Sequence, residues 1–396
     1  MQLRGVSGPE EMDAFTDAAM FAFHHDPSEE ERAHYRRIDE PGRALVWDDD
    51  GAVVATASAY SRELSVPGGA LPCAAVTAVT VLPSHRRRGL LTGMMRRQLD
   101  DLRDGGEAVA VLKASEGGIY GRFGYGPAAH EAVLSARRAE RRLLAPGQNA
   151  APLQIVAQAD AIDAMRPVHE AERERRPGML DRRGLWWDDR LVDPESERDG
   201  ATARRAVLAT DGYALYAVAG RDDPRGPLGE VRLLELVAAT PATRARLWTF
   251  LLDQDLTATL RWSGAPVDEP LALMLDNPRG VDLAPRTALW ARLVDLPRAL
   301  TARTYDGDPD VVLEVADEFC PWNAGRWRLA DGACERTTGA ADLALDTTAL
   351  AAVYLGGTTL AQLAAAGRVE ELTPGALHRA STAFRGALAP WSPDGF

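Results

Sequence analysis

Apolar positions along this chain follow two alternating rhythms. Between Leu90 and Arg103, Leu91, Met94, Met95, Leu99 and Leu102 recur at steps of three and four, which predicts a helix with one apolar face. Asp104-Gly105-Gly106 stops it. Ala74 to Leu82 and Ala108 to Leu112 are nearly continuous apolar runs, the pattern of strands buried on both faces. Arg43 to Trp47 and Ala52 to Tyr60 read as strands around the turn Asp48-Asp49-Asp50-Gly51, and Glu10 to Phe23 reads as a helix. Strands and helices in this order predict an α/β architecture.

The layout recurs further along. Glu230 to Asp253 has the same succession as Val76 to Asp100: strand, proline turn, arginine-bearing connection, helix. Arg244-Ala245-Arg246-Leu247 stands where the first copy has Arg86-Arg87-Arg88-Gly89, so the glycine is missing. The second copy is expected to be degenerate. From Leu289 the pattern changes to α+β. Leu293 to Ala302 reads as a helix, Asp310 to Asp317 and Arg326 to Leu329 as paired strands, and Ala340 to Asp346 as another strand. Thr347 to Tyr354, Thr359 to Ala365 and Pro374 to Phe384 read as helices. Arg137 to Pro152 reads as a linker. The expected domains are therefore 1–144, 145–288 and 289–396.

Composition narrows the function. A length of 396 residues suits two or three domains. No apolar run approaches the roughly 20 residues of a membrane helix, and Met1-Gln2-Leu3-Arg4-Gly5 lacks a signal-peptide core. Cys73, Cys320 and Cys334 are odd in number and far apart, which fits a reducing cytoplasm. Seven histidines form no metal-binding spacing, so no metal is expected. A net charge of −13 argues against nucleic acid as a partner and suits a cationic small molecule, although acidity also serves solubility alone.

The chemistry concentrates in Val79 to Leu91, Val-Thr-Val-Leu-Pro-Ser-His-Arg-Arg-Arg-Gly-Leu-Leu. A buried strand enters a basic turn, then a helix whose first N–H groups lack partners and carry the positive dipole end. That is a phosphate cradle. A P-loop is excluded because no Gly-Lys-Ser/Thr follows, and a dinucleotide fold because no G-x-G-x-x-G opens the helix. A plain basic surface turn is the other reading. Gly121 to Gly126 holds Phe123 and Tyr125 between its glycines and reads as a tight turn pinned by aromatic rings.

Val-x-Val, then Arg-Arg-Arg-Gly, then Ala-Ser-Glu-Gly-Gly-Ile-Tyr-Gly-Arg-Phe-Gly-Tyr-Gly resembles the GCN5-related N-acetyltransferases, and among them the Eis (enhanced intracellular survival) family of actinobacteria. The resemblance spans the whole chain. It implies tandem acetyltransferase domains, the second degenerate, followed by a sterol-carrier-like domain. The wider superfamily usually carries Gly or Ala where this chain has Leu91, a departure the Eis-like group shares. Acetyl-CoA is the implied co-substrate. Val79, Thr80 and Val81 would offer strand backbone to the pantetheine arm. Arg86, Arg87 and Gly89 would hold the pyrophosphate, Arg88, Leu90 and Leu91 would also bind the cofactor, and Ser115 and Glu116 would line it near its acyl end. Tyr120 matches the family's general acid, and Phe396 its terminal carboxylate. Phe23 and Asp26 lie where the family places the acceptor. Ala78 replaces a bulkier aromatic. A homohexamer is implied as well.

The residue chemistry agrees independently. A tyrosine, with an ordinary pKa of about 10, keeps its proton at neutral pH and can donate it to a leaving thiolate. Tyr125 is a rival to Tyr120 for that role. A terminal carboxylate, at about 3.5, is a weak base and a better ammonium anchor. Its rival is a frayed end, against which Trp391 and the flanking prolines argue. The expected activity is acetylation of aminoglycosides or similar polyamines. The alternatives are a protein-lysine or metabolic-amine acetyltransferase, and a non-catalytic module that binds an apolar ligand.

Overall fold

The computed structural model describes residues 1–145, 152–221, 223–224 and 226–396. Part of the expected linker, residues 146–151, lies outside them. Its first residue, Arg137, ends a strand, and Leu143 is buried and bridges to Leu275.

Three sheets organise the described residues. The first runs Gln2–Gly5, Leu45–Asp49, Ala52–Val66, Gly69–Val81, Val109–Lys113, Leu289–Leu293, Gly126–Pro127 in spatial order. Gly69–Val81 and Val109–Lys113 are parallel, and the helix Leu90–Asp104 crosses between them. That helix buries Met94, Met95, Leu99 and Leu102 of the face its periodicity predicts, while in its first turn Leu90 is buried and Leu91 only half-buried. Gly105 caps it, and Gly106 turns the chain at φ +81. The helix Pro9–Ala22 packs on the strands Ala52–Val66 and Gly69–Val81.

The second sheet runs Val281–Thr287, His130–Arg137, Thr257–Pro266, Gly229–Ala238, Gly212–Ala219, Arg205–Ala209, Gln154–Ala157. Gly229–Ala238 and Thr257–Pro266 are parallel and joined by the helix Pro241–Leu252, which repeats the unit of the first sheet. The third sheet runs Ala333–Arg336, Gly325–Ala330, Val311–Ala316, Leu343–Asp346, Val369–Glu371, with helices Thr347–Val353, Leu360–Ala365 and Ala376–Ala383 around it.

Two strands cross the divisions expected at 144 and 288. His130–Arg137 joins the second sheet, and Leu289–Leu293 inserts into the first beside Val109–Lys113. The reason is burial. All five residues of Leu289–Leu293 are buried, so the strand needs cover on both faces. Leu289, Ala291 and Leu293 share a core with the third domain, while Trp290 faces the helix Leu90–Asp104 side. Arg292, fully buried, is held by the Asp317 carboxylate at 2.7 Å. The first and third domains therefore form one continuous core. All three cysteines are free and buried.

Candidate functional site

The site begins where the first sheet opens. Gly69–Val81 pairs with Val109–Lys113 only from Cys73↔Val109 to Ala75↔Val111. Beyond that the strands part. On the other side of Gly69–Val81 the register with Ala52–Val66 shifts between Thr56 and Ser58, and Ala78 takes φ +49. This bulge bends the strand away from its parallel neighbour. It is held by the Thr56 hydroxyl, which donates to the Ala78 carbonyl at 2.7 Å and meets the Thr80 hydroxyl at 2.6 Å. Val79 to Val81 consequently presents a backbone edge to open space rather than to a partner strand.

A cleft of about 500 Å³ fills the gap. Val79, Thr80, Val81, Arg86, Arg87, Gly89, Leu90 and Leu91 line it, as do Ser115, Glu116 and Tyr120. Arg88 does not; its guanidinium donates to the Ser84 carbonyl at 3.3 Å, so the third arginine belongs to the turn and not to the cleft. His85 and Arg122 line the cleft as well, from inside the two segments that carry the motifs. Arg87 at φ +64 and Gly89 at φ +81 wrap the chain so that the helix starts at Leu90. No side chain caps that helix. Its first intrahelical bond is from the Gly93 N–H to the Gly89 carbonyl, which leaves the N–H groups of Leu90, Leu91 and Thr92 open to an anion.

The second sheet shows why its own copy has lost this property. Thr240 caps the helix Pro241–Leu252 by accepting the Thr243 N–H, and Pro241 has no N–H to offer. Where that sheet's parallel strands part, the gap is closed. The Trp262 indole donates to the Leu234 carbonyl at 3.2 Å, and Arg182 reaches in to hold buried Glu235 through two hydrogen bonds.

A second chamber, of about 450 Å³, adjoins the first. The two share Phe23, Val79, Ser115 and Tyr120 as walls. Tyr120 thus stands at the junction. Burial, and then nearby Glu116, raises the pKa of its hydroxyl above the ordinary tyrosine value, which keeps it protonated. Tyr125 is fully buried edge-on to Tyr120 with its ring 5.9 Å away, and it lines neither space. Gly124 turns below it at φ +82, where a Cβ would strike the Arg292 guanidinium.

Phe396 lines the second chamber. The tail that delivers it is anchored. Trp391 is buried edge-on to Trp262 and donates to the Gly264 carbonyl at 2.8 Å. Asp394 pairs with Arg182 at 2.7 Å. Burial alone would raise the Asp394 pKa, but Arg182, His169 and Arg62 hold it below the usual carboxylate range. Lys113, at the end of the strand beside the gap, donates to the Ser392 carbonyl at 3.1 Å. Burial pushes its ammonium pKa down.

Asp26, expected beside the acceptor, is not brought to either chamber. Its side chain is exposed. The helix Pro9–Ala22 ends with His24 in the left-handed region at φ +59 and the His25 N–H on the Met20 carbonyl, a stop that turns the following residues outward. The chamber's carboxylates are instead Asp39 and Asp189, with Tyr35, Tyr60 and Trp186 beside them. No sequence signal marks these five, because they come from three separate elements.

Both the sequence and the fold are similar to those of known proteins. Residues 4–128 match an acetyltransferase (GNAT) domain family, residues 178–295 a second acetyltransferase (GNAT) domain family, and residues 296–393 the sterol carrier protein domain family. The chain is 47% identical over 379 residues to an uncharacterized N-acetyltransferase of Streptomyces avermitilis, covering 93% of this chain and 92% of that one. It is 35% identical over 362 residues to N-acetyltransferase Eis of Mycobacterium tuberculosis, covering 88% and 87%. The crystal structure of Eis1 from Mycobacterium abscessus superposes with a TM-score of 0.89 at 32% identity, covering 100% of both chains.

Proposed function

Because the chain belongs to the Eis family of GCN5-related N-acetyltransferases, we propose that it moves the acetyl group of acetyl-CoA onto an amine of a polycationic small molecule, with aminoglycosides as the leading class. The observation that supports this best is the junction at Tyr120, where an anion-binding cleft meets a chamber with two carboxylates in its wall. The residues present fit the co-substrate: open N–H groups at Leu90 to Thr92 and the guanidinium groups of Arg86 and Arg87 suit a pyrophosphate. Val79 to Val81 offers unpaired backbone to an amide-bearing arm.

Acetyl-CoA supplies the thioester when bound. The chain's residues position the amine and manage protons. The acceptor enters as an ammonium, drawn by the acidic chamber, and loses a proton to water before attack. As the nitrogen–carbon bond forms, the carbon–sulfur bond breaks and its electron pair leaves on sulfur. Sulfur takes the Tyr120 hydroxyl proton, and the proton then shed by nitrogen restores Tyr120. Phe396 is proposed to place its carboxylate against the ammonium. A chain extended past Phe396 should then lose most activity while still binding acetyl-CoA. We infer six copies in the assembly from the family resemblance, and light scattering should return six times the chain's mass.

The test is thiol release from acetyl-CoA with a panel of aminoglycosides, polyamines and lysine peptides, with mass spectrometry to count acetyl groups. Release that depends on aminoglycosides or polyamines is expected. Release with lysine peptides alone would transfer the activity to protein substrates. No release with any amine would sink the reading.

A further inference from the structure

The acceptor chamber holds a side-chain carboxylate, Asp39, that no ion pair reaches among the described residues. Asp39 follows the helix Glu29–Ile38, and its one side-chain hydrogen bond among the described residues comes from the Tyr60 hydroxyl at 3.1 Å. Asp189, in the same wall, is paired with His34 at 2.8 Å, and Asp394 in the tail is paired with Arg182. The titratable groups around Asp39 are His34 and Tyr35 on its own helix, Tyr60 on the strand, Asp189 on the helix Trp186–Arg190, and, in the same chamber's wall, the Lys113 ammonium and the Phe396 terminal carboxylate. A largely desolvated carboxylate with only a neutral partner is costly to keep and is suited to a cationic ligand.

Its position says which part of a ligand it would meet. Tyr60 pairs with Ala75, while the bulge that opens the sheet lies opposite Ala57. Three residues along a strand are about 10 Å. The Tyr60 backbone is therefore set back along the strand from the bulge, and Asp39, held by the Tyr60 hydroxyl, sits away from the gap and not in it.

Resting on the acetyltransferase reading, we propose that Asp39 anchors a second ammonium group of the acceptor, remote from the amine that reacts. Acceptors with two amines separated by a carbon chain are then preferred over monoamines. Tyr35 and Tyr60 flank the anchor and suit the carbon chain between the amines. The reacting amine stays free to approach the gap, so the anchor acts on binding and selectivity more than on the bond-making step.

The test uses the full chain and a series of straight-chain α,ω-diamines from putrescine upward, each against the monoamine of equal length. In the wild type the ratio of kcat/KM, diamine over monoamine, should peak at one length. In Asp39→Asn that ratio should fall roughly 10- to 100-fold, through KM and not kcat, the size expected for losing one charged hydrogen-bonded contact. Tyr60→Phe keeps the carboxylate and should keep most of the preference. If Asp39→Asn melts early, the wild-type ratio replaces it: it should drop as pH falls below about 6, where Asp39 gains a proton. Equal ratios in the wild type and Asp39→Asn, or a wild-type ratio flat across that range, would overturn the assignment. Monoamine turnover without diamine preference sinks Asp39 alone. No turnover of any amine sinks the acetyltransferase reading and this proposal with it.

Discussion

Gly89→Ala isolates the phosphate loop from everything else in the site. Gly89 sits at φ +81 and ψ 2, and a Cβ built there would meet nothing within 4 Å. The need for glycine is therefore conformational and not steric. An L-residue held in the left-handed region costs about 1–2 kcal/mol. The loop is exposed, so the free protein can relax out of that conformation, and thermal stability should barely move. The cost falls due when the loop must wrap a pyrophosphate. It then appears in binding as an approximately 5- to 30-fold rise in Kd for acetyl-CoA. Asparagine tolerates the left-handed region better than alanine, so Gly89→Asn should recover part of the loss. Isothermal calorimetry with acetyl-CoA, and with an acetylated pantetheine fragment that lacks phosphate, separates the two ends of the ligand. The fragment should bind all three proteins alike. A Kd for Gly89→Ala within twofold of wild type, or an equal loss for the fragment, would refute the assignment of Arg86 to Leu91 as the pyrophosphate cradle.

Trp391→Ala should release the tail without unfolding the protein. Truncating a core tryptophan costs about 3–5 kcal/mol, and a terminal segment escapes that cost by undocking. Proteolysis should trim the tail and kcat/KM should drop at least about tenfold with acetyl-CoA binding retained; full activity with a cleaved tail would separate Phe396 from the site. Asp39→Asn should stabilise the fold above pH 6. Burial raises the Asp39 pKa from its ordinary value to about 6, so its protonated form favours the native state at low pH and that contribution is lost as pH rises through about 6. The Tm gain from Asp39→Asn should be larger at pH 8 than at pH 4, and a gain independent of pH would contradict the burial argument.

Local rhythm carried most of the fold. The helix Leu90–Asp104 and the strand before it are legible because their apolar spacing and their end residues agree. The degenerate second unit was legible from a single missing glycine, and Thr240 and Pro241 supply the physical reason at the same place. The exchange of His130–Arg137 and Leu289–Leu293 between sheets was not legible. A strand's periodicity reports that it is buried but not which neighbour buries it, and both strands pair with partners more than a hundred residues away or in another unit. The same limit applies to the site. Much of the cleft's wall comes from the single segment Val79 to Leu91, so a local motif marks it in the sequence. The acceptor chamber is assembled by tertiary packing, so no local pattern marks Asp39 and Asp189, and the family resemblance points to Asp26 instead.

The central claim is that Tyr120, at the junction of cleft and chamber, protonates the leaving sulfur. Tyr120→Phe removes one oxygen and leaves the ring that packs on Tyr125. The direct measurement is amine-dependent thiol release by wild type and Tyr120→Phe, beside the Kd of each for acetyl-CoA. Tyr120→Phe should keep its Kd unchanged and lower kcat by roughly 10²- to 10⁴-fold, the usual contribution of a positioned acid. A Tyr120→Phe enzyme that releases thiol at the wild-type rate would contradict it.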